Sequence, residues 1–177
     1  SRERGGLVKT IAGIGYGYWG PNLLRNYMEL PGAWVQWVCD CRSDALANAH
    51  VRYPSVAGTT SCEDVLTDPE VDAVVIATPI STHFPLAKAA LLAGKHVFVE
   101  KPMTGSTAEA VELVDLADKL GLTLMVGHTF VFSPPVRKVK EIIASGELGE
   151  IYFVTSTRVN LGLHQKDVSV VWDLAPH

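Results

Sequence analysis

Between Leu7 and Gly127, short apolar, β-branched runs alternate with longer stretches in which apolar positions recur at helical spacing. That alternation predicts a parallel sheet whose strands are joined by crossover helices. The runs place strands at Val8 to Ile14, Trp34 to Cys39, Ala73 to Ala77, His96 to Val99 and Thr123 to Val126, with a shorter one at Val56 to Gly58. All but the shorter one are nearly unbroken apolar segments, as expected of strands covered on both faces. Three helices follow from stripes and caps. Ala110, Val111, Leu113, Val114, Ala117 and Leu120 form one apolar face, opened by Ser106 with Glu109 three residues on, a capping box. Leu23, Leu24, Tyr27 and Met28 mark the first helix, with Pro21 near its start, where a missing N–H costs little. Phe84 to Ala93 is another, closed by Gly94.

From residue 128 the pattern changes. Ser133 followed by Pro134 begins a helix running to about Ser145, and Gly146 and Gly149 close it ahead of a strand-like run, Ile151 to Val159. The expected organisation is therefore one α/β domain over residues 1–127 and the beginning of a second domain over 128–177. A strand with no sheet to join is an aggregation hazard, so the sequence reads as part of a longer protein.

Composition narrows the function. The 177 residues, 47% of them hydrophobic and 19% charged, can bury one sizeable core. Fifteen basic against 19 acidic residues give a net charge of -4, which offers no long-range attraction to nucleic acid or an anionic membrane. No apolar run approaches the roughly 20 residues of a spanning helix. Ser1 to Gly6 is polar without a signal-type stretch behind it, which predicts a cytoplasmic protein. Cys39, Cys41 and Cys62 have no zinc-like spacing and cannot all pair within the chain; they read as reduced thiols, and no metal site is expected.

The informative segment is the loop in which Gly15, Gly17 and Gly20 stand in G-x-G-x-x-G spacing after a strand and before a helix. Gly15 permits the tight turn, Gly17 lets backbone approach a pyrophosphate, and Gly20 lets helix and strand pack closely. The N–H groups of the helix start then point at the phosphates. Asp40, 20 residues beyond Gly20 at the end of the second strand, can accept both ribose hydroxyls of an adenosine. Its carboxylate repels a 2′-phosphate and favours NAD over NADP. Arg42 weakens that preference, because a guanidinium can stack on adenine or pair with the phosphate.

Ligands of open α/β sheets gather beyond the carboxyl ends of the strands. There the sequence places Ala77-Thr78-Pro79 with His83 nearby, then Val99-Glu100-Lys101-Pro102, then Gly127-His128.

The segments GYGYWGPN (from Gly15), ATPISTHFPLAKAALLAGKHVFVEKPMT (from Ala77) and WDLAPH (from Trp172) resemble the Gfo/Idh/MocA family of glucose-fructose oxidoreductase and inositol dehydrogenase. The E-K-P triplet is more specific than the glycine loop. The resemblance implies a Rossmann domain followed by a larger α+β domain with a mainly antiparallel sheet. It also implies a pyridine-nucleotide oxidoreductase acting on a sugar, nucleotide-sugar or cyclitol hydroxyl, and a homo-oligomer at full length. Lys101, matching the E-K-P lysine, would hydrogen-bond the reacting oxygen between nicotinamide and substrate. His177, matching the histidine of the family's D-x-x-x-H segment, would accept the proton, with Asp173 helping to place it. Thr78, Pro79 and His83 match the loop beside the nicotinamide ribose, Glu100 the same end of the cofactor, and Tyr18 and Trp19 the phosphate loop.

The chemistry suits these roles. An imidazole titrating near neutrality is a fit proton acceptor, and an ammonium stabilises a developing alkoxide. Many members have D-x-G-x-H where this chain has Asp173-Leu174-Ala175-Pro176-His177, a variant resembling nucleotide-sugar members. With most of a substrate domain lying outside the sequence, the 177 residues alone are expected to be inactive. Arg158, Asn160, His164, Gln165 and Lys166 could reach a sugar or its phosphates or simply form a solvated loop. Arg137, Lys138 and Lys140 read as the wet face of their helix. Two alternatives stay open: an S-adenosylmethionine-dependent methyltransferase, which also uses a glycine loop and an acid after its second strand, and a non-catalytic dinucleotide-binding regulatory module.

Overall fold

A computed structural model describes residues 8–157 and 171–172. The chain divides into two compact units, residues 1–127 and 128–177. In the first, six strands form one parallel sheet: β1 (Lys9–Ile14), β2 (Ala33–Cys39), β3 (Ala57–Thr59), β4 (Ala73–Ile76), β5 (His96–Val99) and β6 (Leu124–Val126). Their order is β3-β2-β1-β4-β5-β6, the doubly wound arrangement of a Rossmann fold. The short third strand forms one residue later than its apolar run suggests.

Helices α1 (Gly20–Glu29), α2 (Ser43–Arg52), α3 (Cys62–Thr67), α4 (His83–Leu92) and α5 (Thr107–Leu120) make the crossovers. The sequence pattern marks neither α2 nor α3. The first buries only Ala45 and Ala49, and the second has six residues and buries Val65, so neither carries a stripe of large apolar side chains. One core cluster lies around Ile76, Leu91, Val99 and Leu113, a second around Ile11, Leu24, Val35 and Val38. Lys95 is buried, and its ammonium donates to the carbonyl oxygens of Asp68 (2.6 Å) and Val71 (2.8 Å). It thereby satisfies the turn from α3 into β4.

The capping residue of α5 behaves as its sequence predicts: Ser106 accepts from the Glu109 N–H, and Gly121 ends the helix at φ +64°. Its apolar face is narrower than expected. Leu113 and Ala117 are buried, whereas Val111, Val114 and Leu120 are 53%, 45% and 44% exposed. The six positions span more of the helix circumference than one contact with the sheet can cover.

The second unit contains α6 (Pro134–Ser145), started by Ser133 and ended by Gly146 at φ +78°. The strand expected from Ile151 is not formed over 151–157. A strand needs a partner for its N–H and C=O groups, and no described residue of this unit supplies one. The remainder of that run, Arg158 and Val159, lies outside the described residues, as do Asn160, His164, Gln165, Lys166, Asp173 and His177. Among the described residues, no helix is long and apolar enough to cross a membrane.

The split along α5 can be measured. Leu113→Ala is expected to cost about 2–5 kcal/mol in urea unfolding, and Val111→Ala no more than about 0.5 kcal/mol. Equal losses would contradict the burial pattern.

Candidate functional site

Parallel pairing sets the site. Cα partners run Thr59, Cys39, Ile14, Ile76, Val99 and Val126, so all six strands end on one row. The residues that follow each strand therefore emerge together along one edge of the sheet. The strand order reverses between β1 and β4, the crevice where doubly wound sheets take ligands.

The glycine turn leaves β1 at Gly15, whose N–H donates to the Cys39 carbonyl at 2.8 Å. Gly15 has φ +94°, and a Cβ there would stand 2.5 Å from the Ala77 carbonyl oxygen. A Cβ on Gly20 would collide with the Gly15 carbonyl oxygen. These two glycines are required by the protein's own packing. Gly17 is different: its backbone has no positive φ, and a Cβ there would meet nothing nearer than Arg42 Nη2 at 3.9 Å. None of the described residues demands glycine at that position, whereas a phosphate approaching the main chain would. The start of α1 has no side-chain cap and no acidic residue in its first turn, which leaves its N–H end suited to an anion. Tyr18 and Trp19 carry the loop outward, 81% and 43% exposed, with their rings tilted 6.4 Å apart.

Asp40 follows β2. Its Oδ2 accepts the Tyr16 N–H at 2.8 Å, and its Oδ1 accepts the Arg42 N–H at 2.9 Å and Arg42 Nε at 3.2 Å. Burial pushes the carboxyl pKa up, but the Arg42 and Tyr16 hydrogen bonds outweigh it and hold the pKa below the usual carboxylate range. Asp40 is thus an anion that ties the glycine turn to the end of β2. Tyr16, which lies between two glycines of the motif, is the partner that sequence reasoning does not single out. Its only sequence signal is that position.

Beyond β4, Thr78 and exposed Pro79 lead into a 3-10 turn and α4. The Thr82 hydroxyl donates to Thr78 Oγ1 at 2.7 Å. His83, at 1% exposure, has Nε2 2.9 Å from the Thr78 carbonyl and Nδ1 2.8 Å from the Pro102 carbonyl. Both ring nitrogens face main-chain oxygens, so the ring bridges the loops after β4 and β5. Beyond β5, Glu100 Oε2 accepts the Lys101 N–H at 3.2 Å, and a Cβ on Gly127 would stand 3.0 Å from Glu100 Oε1. The loops after β1, β4, β5 and β6 are therefore linked in series through Gly15, His83 and Glu100. Among the described residues, no group of three or more His, Cys, Asp or Glu could hold a metal ion.

The class defined by this fold and loop is matched by family comparison. The oxidoreductase family GFO_IDH_MocA, of NAD-binding Rossmann fold, matches residues 9–128, and the chain belongs to it.

Among relatives, the chain is 35% identical over 173 residues to the uncharacterized oxidoreductase YdgJ of Escherichia coli, covering 93% of this chain and 49% of that protein. Among solved structures, it resembles GenD2 from gentamicin A biosynthesis in complex with NAD (30% identity, TM-score 0.75, 83% of this chain and 42% of that one). It also resembles a 3-ketoreductase from Actinomadura kijaniata in complex with TDP-benzene and NADP (28% identity, TM-score 0.74, 81% and 44%). The chain spans at most about half the length of the curated relatives it matches. Neither the methyltransferase nor the regulatory-module alternative draws support from these similarities.

The glycines can be separated experimentally. Gly20→Ala should lower folding stability by about 1–3 kcal/mol through its collision with backbone. Gly17→Ala should stay within about 1 kcal/mol of the parent yet raise the Kd for NADH roughly tenfold or more. Chemical denaturation and fluorescence titration read the two effects. An unchanged Kd in Gly17→Ala would remove that glycine from the phosphate contact.

Proposed function

We propose that the chain forms the pyridine-nucleotide half of an oxidoreductase acting on a CH–OH group, or the corresponding ketone, of a sugar, nucleotide sugar or cyclitol, with NAD favoured over NADP. The observation that carries this is the common row of strand ends, which sets a glycine cradle, an ionised Asp40 and the Glu100-Lys101 loop along one edge. The NAD and NADP complexes among the similar structures support it.

Gly15 would shape the turn, its N–H and that of Tyr16 being donated to Cys39 and Asp40, and main-chain N–H groups from Gly17 to Gly20, with Tyr18 and Trp19, would hold the diphosphate. Asp40 would accept the adenosine ribose hydroxyls, and Arg42 would flank the adenine. Thr78, Pro79 and Glu100 would border the nicotinamide end. When bound, the nicotinamide supplies hydride exchange with the carbinol carbon. The Lys101 ammonium would hydrogen-bond the reacting oxygen and stabilise the negative charge that develops on it. His177 would accept the hydroxyl proton and Asp173 would orient it, both on the strength of the family's D-x-x-x-H pattern. His83, buried between two carbonyls, would act as a positioning residue that fixes the Lys101 loop rather than as a direct contact. The unit from His128 would open the substrate domain, whose ligand is a small molecule rather than nucleic acid or membrane.

Titration with NADH, NADPH and S-adenosylmethionine tests the reading. NADH binding most tightly supports it, and binding of S-adenosylmethionine alone overturns it. Asp40→Ala should raise the Kd for NADH by about tenfold or more. In a protein with a complete second domain, Lys101→Ala should lower kcat about 10²–10³-fold with little change in NADH affinity. A Lys101→Ala enzyme with parental turnover would refute the assigned role.

A further inference from the structure

Two of the three cysteines meet in space. Cys39, the last residue of β2, is 2% exposed, and Cys62, the first residue of α3, is half-buried; their sulfurs lie 3.5 Å apart. Cys41 is exposed and takes no part.

The two thiols are chemically unequal. The hydrogen bond between them, then burial, then the nearby negative charges including Asp40 and Asp64 push the Cys39 pKa up, so its proton stays. The same hydrogen bond draws the Cys62 pKa down to about 7 against the effect of burial. Cys62 is therefore both the more accessible sulfur and the better nucleophile.

The main chain at Cys39 is also part of the glycine cradle. Its carbonyl receives the Gly15 N–H at 2.8 Å. The next residue, Asp40, gives its N–H to the Thr59 carbonyl at 3.1 Å and receives the Tyr16 N–H at 2.8 Å.

We infer that Cys39 and Cys62 form an oxidation site for hydrogen peroxide, closing to a disulfide that loosens the glycine cradle. The Cys62 sulfur attacks one peroxide oxygen. An S–O bond forms, the O–O bond breaks, and the departing hydroxide takes the proton released by Cys62 to give water. The Cys39 sulfur then attacks Cys62. The S–S bond forms, the S–O bond breaks, and hydroxide leaves with the Cys39 proton as a second water. The thiols lose two electrons and the peroxide gains them.

A disulfide requires about 2.05 Å between sulfurs, so the pair must close by roughly 1.5 Å. Cys39 sits in a close-packed core that does not absorb such a shift freely. The movement therefore reaches the end of β2 and the bonds it makes to Gly15 and Tyr16.

The cross-link stands on the thiol geometry alone; its effect on the cradle rests on the dinucleotide reading. The reduced protein is treated with stoichiometric peroxide, the remaining thiols are alkylated, and cleavage before Asp40 separates Cys39 from Cys41 for mass spectrometry. The expected product is a Cys39–Cys62 cross-link with Cys41 alkylated, reversed by dithiothreitol. NADH titration should show affinity weakened at least about fivefold in the oxidised form. Cys62→Ser should bind NADH as the reduced parent does and lose the sensitivity to peroxide. Absence of the cross-link, or one through Cys41, overturns the site. A formed cross-link with unchanged NADH affinity overturns the coupling. A reduced protein that ignores NADH refutes the dinucleotide reading instead, while the cross-link still reports on the dithiol.

Discussion

The alignment of six parallel strand ends is the constraint on which the rest depends. Parallel pairing without terminal stagger places Thr59, Cys39, Ile14, Ile76, Val99 and Val126 side by side. Neighbouring strands lie about 4.8 Å apart, so Asp40 beyond β2 and Lys101 beyond β5 are three intervals, roughly 14 Å, from each other across the edge. A single extended ligand can meet both only if no strand slips. Val74 and Ile76 on one face of β4 and Val75 on the other are all buried, so a slip would have to repack both faces of the sheet, and close packing thereby protects the register that the site needs. Core packing and site geometry are in this sense one requirement.

The loops that carry the chemistry are not left to register alone. Contact of Gly15 with Ala77, the His83 bridge from Thr78 to Pro102, and the packing of Glu100 on Gly127 join four successive loops. Each link uses a main-chain group, and main-chain groups move only with the strands that precede them. The buried His83 bridge to two carbonyls fixes the half-buried loop that carries Lys101 to the loop after β4.

Much of this was legible in the sequence because strands covered on both faces read as unbroken apolar runs and because glycine turns have fixed spacing. What was hidden has physical reasons. Helices α2 and α3 bury small or few side chains and so show no stripe. The face of α5 was drawn too wide because periodicity identifies apolar positions and not which of them the sheet covers. The run from Ile151 has strand-like composition, but pairing over 151–157 depends on a partner that composition does not reveal. The meeting of Cys39 with Cys62, and the bridging position of His83, join residues 23 and 19 apart in sequence to their partners through the fold. No local pattern encodes either.

Asp40 shows where a motif residue serves two masters. A carboxylate offers about four acceptor positions, and four donors already address those of Asp40: the Tyr16 N–H, the Arg42 N–H, Arg42 Nε and, at 3.5 Å, Arg42 Nη2. The residue that would receive a ribose hydroxyl is thus already the tie between β2 and the glycine turn. On the proposed reading the same ion pair would let Arg42 moderate cofactor choice, because a carboxylate with a guanidinium against it repels a 2′-phosphate less than a bare one. Removing the guanidinium should leave the tie to Tyr16 in place while restoring the full negative field. Arg42→Ala should therefore widen the gap between NADH and NADPH affinities, a ratio that competitive titration measures directly. A narrowed gap would show that Arg42 acts on the cofactor in its own right rather than through Asp40.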